Sequence, residues 1–357
     1  KLLTFSATGA ILAAPTTSLP EIIGGEKNYD YRFAWVRDMA FAISAMIRLG
    51  AEEEVHASLS WLLATVRQTS PDVHVFYTVE GDVAEEENDV PACGYRGSRP
   101  VQSGNAAEEQ TQLECFGALF DPVWAYVDEG NQLDEQTASM LAACADLVCD
   151  SWTRPDAGIW ELTDTRHYTA SKVGCWTALD RAVQLAGAGQ LPDRHRPRWE
   201  AQREAIAHWV HANCWSDAKQ AYTFYAGTDE LDGAVLLSAR IGFDRGDRMR
   251  HTITALRREL CRGPLMYRYT EMVDKEGAFL PCSFWLVEAL ALTGQVDEAA
   301  RLMDALCGLA NDVGLFSEEM DAATGAMLGN FPQALTHLAL INAAALIHEC
   351  RQGAPPS

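Results

Sequence analysis

The feature that most constrains this chain is a pair of helices that recurs along its length. Residues 34–49 make a strongly apolar helical run that Gly50 ends. Residues 51–67 then start a second helix with Glu52, Glu53 and Glu54 in its first turn, where carboxylates suit the helix dipole. The same grammar returns at 284–292, stopped by Thr293-Gly294 and followed by 295–309 with Asp297 and Glu298 early. It returns again at 175–185, ending near Gly187 and Gly189 before 196–209. Each unit is an apolar helix, a glycine stop and a more charged amphipathic helix. Such a degenerate αα-hairpin repeat closes into a toroid or winds into a solenoid. Further helices fit 106–127, 134–152, 234–241, 248–260 and 332–350. With a short helix and turn at the N-terminus the count is about twelve, half apolar all round and so inner, half amphipathic and so outer. The expected fold is all-α, an (α/α)6 barrel in one domain over residues 1–352, with a frayed tail at 353–357.

The connectors are unequal. The glycine stops leave short turns, as antiparallel neighbours require. Long connectors lie at 14–33, 69–105, 153–167, 214–232, 262–279 and 308–330. Long loops at alternate junctions gather on one face, and that face is expected to carry function. Residues 73–79 followed by Glu80-Gly81-Asp82 read as a small β-hairpin inside one of them.

Charge and cysteine usage narrow the class. Twenty-eight basic against fifty acidic residues give a formal charge of −22, which argues against nucleic acid and favours a neutral or cationic ligand. None of the ten cysteines forms a CxxC pair and most sit in apolar helical runs, so small core residues of a reducing, cytoplasmic compartment are expected, not a disulfide framework or a zinc site. Lys1-Leu2-Leu3 and Ile11-Leu12-Ala13-Ala14 flank a stretch too polar for a signal peptide. No apolar run approaches the roughly 18 residues of a membrane span. Ile22-Ile23-Gly24-Gly25-Glu26 lacks the further glycines and lysine of a phosphate loop and reads as a turn.

The candidate chemistry sits in the long loops. Tyr31, Trp35, Arg37 and Asp38 crowd aromatic and paired charged residues just before an apolar helix. A sugar site needs this mix, aromatic faces against the ring and Asp and Arg on its hydroxyls, but a helix cap with a surface ion pair explains it equally well. Glu161 follows Trp160, and an apolar neighbour raises a carboxyl pKa as a general acid requires; an exposed loop glutamate is the plainer alternative. Glu318 and Glu319 are adjacent in another loop, and at most one of them needs to point inward. Arg268-Tyr269 precedes Glu276-Gly277-Ala278-Phe279, a further loop of aromatic and charged residues. His167 and His337, the histidines nearest these loops, read as structural. Glu161 and Glu318 on separate loops of one face are the pair a glycosidic hydrolysis needs.

Several stretches, in this order, resemble glycoside hydrolase family 15, the family of glucoamylases, glucodextranases, isomaltose glucohydrolases and bacterial trehalases. They are Ala14-Pro15-Thr16-Thr17-Ser18-Leu19-Pro20, the run from Tyr31 to Asp38, Gly94-Tyr95-Arg96-Gly97-Ser98-Arg99-Pro100, Gly104-Asn105-Ala106 and Gly158-Ile159-Trp160-Glu161. Ser171-Lys172-Val173 follows, then Ala178-Leu179-Asp180-Arg181-Ala182, residues 276–286, 317–321 and 329–334. The resemblance implies an (α/α)6 barrel and exo-acting hydrolysis of α-glucosides with inversion. It makes Glu161 the general acid, Glu318 the general base and Tyr31 the holder of the attacking water. Trp35, Arg37, Asp38, Trp160 and Arg268 would bind the non-reducing glucose, with Glu319 at a site-lining position whose identity varies. Inversion sets the two carboxyls about 6.5–9.5 Å apart, with a water between base and anomeric carbon. Val273 stands near where related enzymes place an aromatic residue that supports the water-holding tyrosine.

Many bacterial members carry an N-terminal β-sandwich; this chain begins almost at the first barrel helix, so either a short, barrel-only form, such as some isomaltose glucohydrolases have, or a fragment of a longer chain is expected. On that ground isomaltose and short isomalto-oligosaccharides rank first as substrates, α-1,4 glucans second and trehalose third. Neither metal nor organic cofactor is expected, since two carboxylates and water suffice. Two rivals are a catalytically silent sugar-binding barrel and a phosphorylase. The intact glutamate pair opposes the first, and Glu318 in place of a basic phosphate site opposes the second.

Overall fold

The computed structural model describes residues 1–84, 86–273 and 275–353. Within them the helices fall in the expected alternation. The inner ones are α1 (Val36–Arg48), α3 (Glu114–Asp128), α5 (Thr169–Gly187), α7 (Leu237–Arg240, continuing a 3-10 turn Gly233–Leu236), α9 (Leu280–Leu292) and α11 (Ala334–Gln352). The outer ones are α2 (Glu52–Thr69), α4 (Glu135–Ser151), α6 (Arg196–Asn213), α8 (Asp247–Leu260) and α10 (Val296–Cys307). Inner helices pack in sequence, α1 on α3, α3 on α5, α5 on α7, α7 on α9 and α9 on α11, and α11 closes the ring onto α1. The architecture is an (α/α)6 barrel. Burial sorts the two layers: twelve of the thirteen residues of α9 are buried, against three of the eighteen of α6. Gly50, Gly189 and Gly294 end helices with φ between 67° and 88°, a conformation that costs an L side chain roughly 1–2 kcal/mol.

Three local expectations change. The N-terminal segment forms no helix: Thr4 bridges to Ile11, Phe5 N–H donates to the Ala10 carbonyl, and Gly9 turns at φ 93° against Ala57, where a Cβ would lie 2.7 Å from the carbonyl oxygen. That leaves eleven helices among the described residues. Residues 106–127 are not one helix. Asn105 caps a short 3-10 turn (Ala106–Glu109), and the chain then straightens, so that Gln110 reaches the loop of Glu161 and the Leu113 amide reaches Asp156, before α3 begins. The hairpin read at 73–79 is split in two. Phe76–Tyr77 pairs antiparallel with Ala34–Trp35, and the local turn is closed by a bridge from Tyr77 to Val83 and by Thr78 N–H donating to the Asp82 carbonyl. Of the tail, 354–357 lies outside the described residues.

The long loops meet on one side of the ring and are stitched together by short antiparallel pairings. Bridges join Thr17 to Asp30, Asp156 to Arg166, Tyr168 to Tyr225 and Asp232 to Tyr269. Glu319–Met320 is the middle strand of a three-stranded sheet, between Ala278–Phe279 and Met327–Leu328. The ten cysteines are unpaired, six of them buried. No helix among the described residues is long and apolar enough to cross a membrane.

Candidate active site

The Glu161 turn is bent by design of its sequence. Gly158 sits at φ 70° under the Tyr168 ring, where a Cβ would come within 2.6 Å of a ring carbon. Glu161 itself is held at φ 58°, a left-handed conformation that a non-glycine residue adopts at a cost of about 1–2 kcal/mol. The surroundings enforce it. Glu161 N–H donates to the Gly158 carbonyl, Gln110 Nε2 donates to the Glu161 carbonyl (3.1 Å), and Arg37 Nη1 donates to the Ile159 carbonyl (3.1 Å). At the loop's entry, buried Lys172 donates to the carbonyls of Trp152 and Arg154, fixing the end of α4.

The indole that touches Glu161 belongs to Trp35, not to its neighbour Trp160. Trp35 Nε1 donates to Glu161 Oε1 at 2.8 Å, and its ring stacks on Phe76 with centroids 4.5 Å apart. Trp160 turns away, donating from Nε1 to Asp232 Oδ1 at 2.8 Å, with its ring edge-on to Phe279. Burial pushes the Glu161 carboxyl above its usual range, against the pull of Arg37 and the Trp35 donor.

Glu318 is pinned from both flanks. Its N–H donates to the Asn330 carbonyl and its carbonyl accepts from Leu280 N–H, the first residue of α9. Asn330 Nδ2 donates to the Tyr29 carbonyl and Thr16 Oγ1 donates to Asn330 Oδ1, tying this loop to the one that carries Tyr31. Tyr31 OH then donates to Glu318 Oε1 at 2.7 Å, while its ring meets Trp35 edge-on at 5.4 Å. Gly329, at φ 73°, leaves the space the carboxylate uses: a Cβ there would lie 2.6 Å from Glu318 Oε2. Burial and the nearby Glu21 push the Glu318 carboxyl up to about 8, with Arg268 and the Tyr31 hydroxyl pulling it back.

Glu161, Glu318, Tyr31, Trp35, Arg37, Asp38, Trp160 and Arg268 all line one cavity of about 420 Å³, the size of a small sugar site. Asp38, buried in the first turn of α1, pairs with Arg37 at 3.3 Å. Glu319 is placed elsewhere. Glu318, just before the strand, turns toward the cavity, and Glu319, paired within the strand, faces the protein behind it. There it stands 3.4 Å from Arg268 Nη2 and opposite Gly277, where a Cβ would lie 2.8 Å from its Cβ. His337 is structural: its Nε2 accepts from Phe316 N–H and its Nδ1 meets the Gln333 carbonyl, steadying the start of the Glu318 loop. His167 packs on Trp209, away from the cavity.

Five contributors were not among the sequence candidates. Arg268 is clamped by Glu276 (Nε to Oε1 2.7 Å, Nη2 to Oε2 2.6 Å) and by Glu21 (2.8 Å). Lys27 reaches the same two carboxylates. Glu276 stood in a loop already marked for its charge, whereas Glu21 and Lys27 flank the Gly24-Gly25 turn with no pattern to single them out. Asp232, beneath Trp160, is pushed up to about 7 by burial, and Gln110 holds the Glu161 backbone; neither has a sequence signature.

The profile of "Glycosyl hydrolases family 15" matches residues 1–345. The trehalase of Mycolicibacterium smegmatis is 38% identical over 364 residues, covering 98% of this chain and 54% of that protein. The trehalase of Thermoplasma volcanium is 32% identical over 356 residues, covering 98% and 57%. The chain thus spans about half the length of the curated relatives it matches. Among solved structures, a wild-type glycosidase superposes with a TM-score of 0.77 at 17% identity over 98% of this chain and 93% of its own. A bacterial glucoamylase complexed with acarbose gives 0.75 at 14% identity over 96% and 53%. These last two carry the fold alone. The profile match along almost the whole chain, and relatives more than 30% identical, establish that this chain belongs to glycosyl hydrolases family 15.

Proposed function

We infer that the chain carries the catalytic barrel of an inverting, exo-acting α-glucoside hydrolase whose substrate is trehalose. The observation that carries the reading is the pairing of Trp35 with Glu161 and Tyr31 with Glu318 inside one cavity. Glu161, kept protonated by burial, donates its proton to the glycosidic oxygen as the bond to the anomeric carbon breaks. Glu318 takes a proton from a water held by Tyr31, and that water attacks the opposite face of the glucose. Arg37, Asp38 and Arg268 grip hydroxyls, and Trp35 and Trp160 offer aromatic faces to the ring. Glu319 acts from behind this wall. No step needs a metal or an organic cofactor.

Support for trehalose as the substrate comes from the relatives, which bear the name trehalase. That moves trehalose from third place to first, ahead of isomaltose and the α-1,4 glucans. Cleavage with inversion turns the attacked glucose into the β-anomer, while the departing glucose keeps its α configuration.

Glucose release from trehalose, isomaltose, maltose and panose by wild type, Glu161→Gln and Glu318→Gln tests the reading. The expected outcome is preference for trehalose and a loss of about 10²–10⁴-fold or more in each folded variant. Near-wild-type turnover in either variant overturns the assignment of roles. Preference for isomaltose overturns the substrate.

A further inference from the structure

Behind the base lies a buried charge cluster that the catalytic reading leaves unexplained. Four carboxyls, Glu21, Glu276, Glu318 and Glu319, stand around two cations, Arg268 and Lys27. Arg268 donates from Nε and Nη2 to Glu276 and from Nη2 to Glu21, standing 3.4 Å from Glu319 Oε1 without a hydrogen bond to it, and Lys27 adds to Glu276 and Glu21. Glu319 is wholly buried, and among the described residues neither of its oxygens has a hydrogen-bond partner. Glu21 Oε1 is buried and unpartnered as well. Carboxyl oxygens of Glu21, Glu276 and Glu319 lie within 4.8 Å of one another.

A buried carboxylate without donors is among the most costly groups a protein can hold. Two acceptors facing each other are relieved by one proton between them, as when two carboxyls share a site and one stays neutral. A divalent cation is the other way to join three carboxyls, but here it would sit among a guanidinium and an ammonium already in contact with them. The proton is the smaller charge and needs no displacement of Arg268.

We propose that Glu319 is held as a neutral carboxylic acid that donates to Glu21, and that this neutrality is what allows Glu318, the residue before it and turned toward the cavity, to carry the negative charge of the base. With Glu319 neutral, three carboxylates remain for two cations, and the surplus charge belongs to Glu318. Glu319 is therefore a positioning residue that acts through Arg268 and its neighbour. The groups around it are Glu21 from the first long loop, with Lys27 paired to it, Arg268 and Glu276 from the loop before α9, and Glu318 just before its strand. Its burial and the carboxylates of Glu21, Glu276 and Glu318 push its carboxyl well above the usual range, against the pull of Arg268. The proposal rests on Glu318 being the base.

The test compares wild type with Glu319→Gln, which preserves shape and neutrality. Infrared difference spectra at neutral pH should show one protonated-carboxyl carbonyl band lost in the variant. Loss of carboxylate bands instead overturns the proposal. On trehalose, the acid limb of kcat/KM should stay in place in Glu319→Gln; removal of a true negative charge beside Glu318 would move it down by about one unit or more. Should Glu319→Gln fail to fold, Glu21→Gln serves: Glu319 then ionises, so the protonated band disappears with no net loss of carboxylate, and a band that persists overturns the proposal. Stoichiometric Mg²⁺ or Mn²⁺ binding by calorimetry, abolished in Glu319→Gln, overturns it in favour of a metal. The infrared arm needs no turnover, so a failure of the hydrolase reading and a failure of this one are separable.

Discussion

Tyr31→Phe isolates one atom of the mechanism. The ring still meets Trp35 edge-on, so packing is preserved, and only the hydroxyl 2.7 Å from Glu318 Oε1 is lost. A hydrogen bond to a charged acceptor contributes about 1.5–3 kcal/mol, which corresponds to about 1–2 pH units on the acceptor's pKa. The sign is fixed by which form accepts: the hydroxyl donates to the carboxylate, so removing it destabilises the anion and raises the Glu318 pKa further. The acid limb of kcat/KM, set by the ionised base, therefore moves to higher pH by about 1–2 units. On the plateau the attacking water also loses a partner, and kcat falls about 10- to 100-fold. Kinetics on trehalose across the pH range, with thermal unfolding as a control for folding, measure both effects. An acid limb that stays in place or moves down refutes the claim that this hydroxyl stabilises the ionised base.

Three further outcomes follow from the same geometry. Trp35→Phe removes the indole donor to Glu161, so the acid's pKa rises and the alkaline limb moves up by about one unit; a downward move contradicts the contact. Gly329→Ala places a Cβ against Glu318 Oε2 on a left-handed backbone, lowering stability by about 1–2 kcal/mol by denaturant titration and displacing the base enough to cost about tenfold or more in kcat. Glu161→Gln should fail on trehalose yet recover part of its rate on an α-glucosyl substrate whose leaving group needs no protonation, whereas Glu318→Gln should not recover.

How far the sequence carried this account differs between scaffold and site. The αα-hairpin pattern was legible because glycine stops and one-sided apolar faces are local, and α1, α2, α9 and α10 lie where they were read. Boundaries slipped where tertiary contacts overrule local preference. The stretch 106–112 has helical composition, yet Gln110 and the Leu113 amide are drawn to the Glu161 loop. The N-terminal segment folds back at Gly9 because Ala57 of α2 passes beneath it. In the site, the residues carried by the family resemblance converge on one cavity, all but Glu319, but what each one touches was not readable. Trp160 is the neighbour of Glu161 in sequence, and Trp35 is its neighbour in space. The adjacent pair Glu318-Glu319 resolves only once the strand is seen: Glu319 is paired within it and packs behind against Gly277, while Glu318, just before it, lines the cavity. Lys27 reaches Glu276 and Glu21 reaches Arg268 from about 250 residues away in the chain, pairings that no local pattern encodes.

The central claim, inversion by Glu161 and Glu318, meets its most direct test in the anomers formed first. Proton NMR of wild-type enzyme on trehalose, read before mutarotation, should show α- and β-glucose appearing in equal amounts. Formation of α-glucose alone would mean retention at the attacked carbon, and would contradict the account.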